Sequence, residues 1–109
     1  MESEVRWMGP QATARLHYPA GSSRFELTVN VSRQQLQESG VPEVQVAVDG
    51  HVLGSHRFPN AGWDMVRWPV PEGISADPLV ELTVTPPYRP GNGDPRTLGV
   101  AIVALGFLP

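Results

Sequence analysis

The sequence contains no cysteine and no lysine. Without cysteine there can be neither a disulfide framework nor a thiolate metal site. The chain must hold together on apolar burial and hydrogen bonds. That absence assigns no compartment, because cysteine-free chains are stable on either side of a membrane. No run of residues reaches the ~18 consecutive apolar positions that a membrane-crossing helix needs, so direct membrane insertion is not expected. The opening Met1-Glu2-Ser3-Glu4 is acidic and lacks the basic and apolar segments of a signal peptide. Two expectations follow: a cytoplasmic protein, or a domain cut from a longer envelope-associated one.

A basic surplus is missing too. The formal net charge is -3, whereas a nucleic-acid surface wants a basic stripe, so no nucleic-acid partner is expected. All 8 basic residues are arginine. Genome composition is the first explanation of such a bias. Arginine also suits bidentate contacts and stacking on rings better than lysine does. Catalytic signatures are absent: there is no Gly-x-Ser-x-Gly elbow, no phosphate loop and no His-Glu-x-x-His. Acidic residues are scattered singly, so a non-catalytic protein is expected. His51 and His56 are five residues apart on an expected strand, which places them on opposite faces, and His17 stands alone. No metal site follows from them, and no cofactor is expected. Structural calcium stays open, although Asn92-Gly93-Asp94 is too short a signal to place it.

What the chain does have is turn chemistry and alternation. With 109 residues it is long enough for one domain, residues 1–109, with its own core. Its 12 prolines and 11 glycines suit many short strands joined by turns. Strand patterns begin at Val5–Met8 and Ala12–Tyr18, the latter with Ala12, Ala14, Leu16 and Tyr18 inward. Phe25–Val31 alternates without a fault, the period-two signature of a half-buried antiparallel strand. Ser32–Gly40 has the form of a capping box closed by glycine, but Leu36 is its one apolar residue. It reads as a loop with at most one helical turn. Glu43–Val48 and His51–Phe58 flank Asp49-Gly50, a strong hairpin signal. Trp63–Val70 and Leu79–Thr85 complete the interior strands.

The last quarter is a loop stiffened by four prolines, Pro86, Pro87, Pro90 and Pro95, leading into Leu98–Phe107. That strand is apolar on both faces. Leu98, Val100, Ile102 and Ala104 fall on one, and Ala101, Val103, Leu105 and Phe107 on the other. Either the chain covers it on both sides, or a partner domain or second copy docks through Val103, Leu105 and Phe107. About eight strands at close spacing predict an all-β jelly-roll sandwich of antiparallel strands.

Several stretches resemble the galactose-binding-domain-like β-sandwich of bacterial proteins, often appended to glycosyltransferases or other polysaccharide enzymes. They are Arg6-Trp7, Ala12–Leu16, Val44-Gln45-Val46-Ala47-Val48-Asp49-Gly50, Trp63–Pro69, Leu79–Val84 and Asp94-Pro95-Arg96-Thr97-Leu98-Gly99-Val100. The likeness spans nearly the whole chain, and its motifs are structural rather than catalytic. It implies an accessory module of a kind that commonly binds carbohydrate, though many such domains have no known ligand, and it transfers no defined sugar site.

Sugar recognition needs a flat apolar platform and planar polar groups. Trp63, Trp68, Trp7 and Tyr88 are candidate platforms; Arg67, Arg89, Asn60, Asn92 and Asp64 are candidate hydrogen bonders. Period two puts Trp63, Met65 and Arg67 on one face of their strand, with Val66, Trp68 and Val70 on the core face. Trp68 is therefore expected in the core, Trp63 is the better platform of the two, and Trp7 suits the core or an edge. Tyr88, Arg89 and Asn92 lie on the proline loop, where binding residues or simple loop packing both fit. Asp94 and Arg96 are read as a salt bridge pinning that loop. The reading is a carbohydrate-binding module around Trp63, Arg67, Tyr88, Arg89 and Asn92, or alternatively an interaction domain with no small ligand.

Overall fold

The computed structural model describes residues 2–7, 11–86 and 100–109, the first of these stretches by its backbone alone. Among these residues eight strands form: β1 (Glu2–Trp7), β2 (Gln11–Arg15), β3 (Arg24–Val31), β4 (Glu43–Val48), β5 (His51–Arg57), β6 (Gly62–Pro69), β7 (Leu79–Thr85) and β8 (Ala101–Leu108). A single helix, α1 (Arg33–Ser39), joins β3 to β4. The strands build two four-stranded antiparallel sheets, ordered β1-β8-β3-β6 and β2-β7-β4-β5. First pairs with last and second with second-last, inward to the β4–β5 hairpin. That nesting is a long hairpin rolled over on itself, the jelly-roll sandwich the strand spacing predicts.

Alternation accounts for the core. From the first sheet Phe25, Leu27, Val29 and Val31 point inward, and from the second Val44, Val46, Val48, Val80, Leu82 and Val84, all nearly or fully buried. Phe25 is the centre of the aromatic packing, 5.3 Å from Phe107 edge-on and 6.4 Å from Trp68 in a stacked pair. Trp68 is buried in the core, as its face predicts. Ala14 departs from expectation: it is exposed, on an edge strand of the second sheet.

Two bulges overturn simple face counting. Thr28 pairs with Ala104 but Val29 with Ile102, so Val103 is an extra residue in β8. Val100 and Ile102 therefore share the core with Leu105 and Phe107, while Ala101 and Val103, though buried, stand outside the core cluster. The three residues read as one docking face, Val103, Leu105 and Phe107, do not share a face. In β5, Val46 pairs with Gly54 and Ala47 with Val52, which makes Leu53 the extra residue. His51 and His56 consequently sit opposite Val48 and Val44 on the same face. What separates them is distance, about 13 Å along the strand, rather than orientation.

The β5 bulge also closes one flank of the sandwich. A Cβ on Gly54 would lie 2.8 Å from Trp68 Nε1, at a backbone φ of +155°. Only glycine lets the indole cover the seam between the two edge strands there. Gly54→Ala is expected to lose about 1–3 kcal/mol, the usual cost of overpacking a filled core, read as a lower denaturation midpoint at unchanged m-value.

The segment after β3 is a helix of two turns rather than a loop. Ser32 Oγ accepts from the Gln35 N–H at 3.0 Å, and the Gly40 N–H bonds back to the Leu36 carbonyl. Counting apolar residues missed it because the buried position of the helix is a glutamine, Gln35, with Leu36 packing on the core beside it.

The Asp49-Gly50 turn has positive φ at both residues, +49° and +82°, as the two-residue hairpin requires. Asp49 Oδ1 accepts from the Leu79 N–H, and Oδ2 from the Ser75 N–H and hydroxyl, at 2.8–3.1 Å. These bonds, led by the one from Leu79, hold its carboxyl below the ordinary value of 3.8. A lowered folded-state pKa gives stability that is present above the unfolded value and lost as pH falls through the folded one. Acid titration of Asp49→Asn, which tolerates the same backbone, should therefore show less loss of stability below pH ~4 than the wild type.

Candidate glycan platform

Three rows of side chains cross the outer face of the first sheet where β6 lies beside β3. Register sets Trp63 opposite Asn30, Met65 opposite Thr28 and Arg67 opposite Glu26. Directly opposed residues on one face have Cβ atoms about 4.5–5.5 Å apart, so each row is a contact pair. Trp63 is 68% exposed and Met65 47%. A large ring left in water on a regular strand forfeits burial free energy that Trp68, on the other face of the same strand, recovers.

Glu26 is buried, and its Oε2 accepts from Arg67 Nε at 2.7 Å. An unpaired carboxylate at that depth would carry a desolvation penalty of several kcal/mol; Arg67 relieves it. The bond uses one of five guanidinium donors. Among the described residues nothing else takes the Nη groups of this partly exposed side chain, so Glu26 anchors the fork through Nε alone.

The free edge of β6 is guarded. The Val70 N–H donates to the Ser23 carbonyl. By antiparallel alternation Trp68, Val66 and Asp64 bond toward β3, and the Trp63, Met65 and Arg67 amides point to the open edge. There the Met65 N–H is taken by Asp64 Oδ1 at 2.8 Å, and Pro69 has no N–H to offer. An inward-facing charge and a proline are both devices that discourage strand addition. Asp64, read as a ligand hydrogen bonder, thus serves the edge and lies off the Trp63 face. Asn60 is exposed in the turn before β6.

Of the expected site residues, Trp63 and Arg67 share the face that period two gives them. Tyr88, Arg89, Asn92, Asp94 and Arg96 lie outside the described residues. Glu26, Thr28 and Asn30 were missed. Their outward direction was readable from alternation in β3, but their place beside β6 needed the sheet order. A cleft of about 180 Å³ opens on the opposite flank, between Arg15, His17 and Pro19 on one side and Leu105–Phe107 on the other. Arg15 there donates to the Asp77 carbonyl, and His17 lies 3.9 Å from the Asp77 carboxylate, so its basic groups already face an acidic neighbour. Among the described residues no three His, Cys, Asp or Glu side chains gather for a metal ion. The sequence matches no protein-family model and no curated protein.

Proposed function

We propose that this chain is a non-catalytic carbohydrate-binding module, akin to the galactose-binding-domain-like sandwiches its strands resemble, with its platform on the outer face of β6 and β3. The observation that carries the reading is Trp63, 68% exposed on a regular strand, beside Asn30 and in line with a partly exposed Arg67 anchored by Glu26. The apolar face of a pyranose stacks on such a ring, Asn30 beside it answers hydroxyls, and Arg67 offers further donors along the same face. The test is tryptophan fluorescence titrated with a panel of mono- and polysaccharides. A saturable change supports the module; a flat response across a broad panel rejects it.

A second reading is an interaction domain with no small ligand, favoured by the adjacent exposure of Trp63 and Met65. In that case sedimentation at rising concentration, or in the presence of a partner domain, changes while glycans do nothing. The guarded edge of β6 opposes docking by strand addition, so such a partner would have to sit on the face.

A further inference from the structure

Trp63 and Arg67 stand four residues apart on one strand, so their side chains leave the sheet about 13 Å from each other. That is wider than one pyranose ring. Met65 lies between them on the same face, and Thr28 and Asn30 run parallel on β3. A monosaccharide seated on the Trp63 ring covers the Trp63 row and leaves the Met65 and Arg67 rows to a longer ligand. A chain lying along β6 meets the ring and the guanidinium.

Charge narrows the occupant. Between the Trp63 and Arg67 rows the described face holds one positive group and one negative group, and these two are bonded to each other. The next row brings Arg24, whose Nε and Nη2 are turned to the Pro109 carbonyl. Across the Trp63 to Arg67 rows, an acidic polymer would meet the Glu26 carboxylate beside the one guanidinium of those rows, Arg67. A hydroxyl pair suits the Nη edge, which no described residue takes, because each hydroxyl accepts one N–H without bringing charge.

Resting on the carbohydrate reading above, we infer that the ligand is an uncharged linear glycan running along β6, with one sugar on Trp63 and another's vicinal hydroxyls on Arg67. Glu26 is a positioning residue: it holds the Arg67 fork and cancels its charge without touching the sugar.

The experiment is isothermal titration of the whole chain with linear galactan and glucan oligosaccharides, from monosaccharide to hexasaccharide, and with polygalacturonate. Affinity for one neutral series should rise at least about tenfold between monosaccharide and tetrasaccharide, a gain of about 1.4 kcal/mol, with little dependence on salt. Arg67→Lys keeps the charge but loses the fork. It should remove most of that length-dependent gain, so that monosaccharide and tetrasaccharide bind the variant within about twofold of each other. Glu26→Gln should raise binding to polygalacturonate relative to the neutral oligomers, a shift that a purely structural Glu26 would not produce. Equal affinity for monosaccharide and hexasaccharide, or tighter and salt-sensitive binding to polygalacturonate by the wild type, overturns the inference while leaving the module reading in place. No binding to any saccharide overturns both.

Discussion

Trp63→Ala is expected to weaken glycan binding by at least about tenfold and to leave the fold intact. Stacking of a flat nucleobase on an aromatic side chain is worth about 1–3 kcal/mol by truncation; a pyranose face on Trp63 is expected to reach the lower part of that range, and tenfold corresponds to about 1.4 kcal/mol. The same substitution should change folding stability by no more than about 0.5 kcal/mol, as exposed surface positions do. The ring at 68% exposure has little burial to lose. Trp63→Phe, which keeps a smaller ring, should fall between the two. This separation of binding from stability is what distinguishes a platform from a core residue that happens to lie near the surface. Were Trp63→Ala to unfold the protein, the ring would be structural and the site would have to be sought elsewhere.

Phe25→Ala is the opposite case. Phe25 is fully buried, lies between Trp68 and Phe107, and faces the second sheet from the centre of the first. Truncating a buried phenylalanine costs about 3–5 kcal/mol through lost transfer free energy and an unfilled cavity. Domains of this kind have about 5–15 kcal/mol in total. Chemical denaturation should therefore show a large drop in midpoint, and at 37 °C a sizeable unfolded fraction. Aromatic near-ultraviolet circular dichroism should change with it, because the ring pairs that give Trp68 and Phe107 their fixed orientation converge on Phe25. A loss near 1 kcal/mol would mean that the two sheets are packed less closely around Phe25 than its burial implies.

The fold was largely legible in the sequence because a jelly roll is written in period two. Phe25–Val31, Glu43–Val48 and Leu79–Thr85 alternate cleanly, and each became a strand with the expected face inward. Asp49-Gly50 marked its hairpin through the rare left-handed backbone it tolerates. Alternation failed where the backbone inserts a residue. Val103 and Leu53 carry no side-chain signal that announces a bulge, so the faces of β8 and the relation of His51 to His56 came out wrong. The helix after β3 hid for a related reason: its buried side chain is polar.

The candidate site was half legible. One strand could be read for Trp63, Met65 and Arg67 because a face within a strand follows from counting. Glu26, Thr28 and Asn30 could not be joined to it, since they are more than thirty residues earlier in the chain and meet β6 only through sheet order. The role of Asp64 was also hidden. Its bond to the Met65 N–H depends on which amides face the open edge, a property of the pairing rather than of the residue.

The most direct test of the central claim is a nitrogen–proton correlation spectrum of the protein titrated with a neutral linear oligosaccharide. The account predicts that the Trp63 indole resonance shifts first and furthest, together with the amides of Met65, Arg67, Asn30 and Thr28, while the Trp68 indole stays in place. Shifts confined to other surfaces, with the β6 face silent, would contradict it.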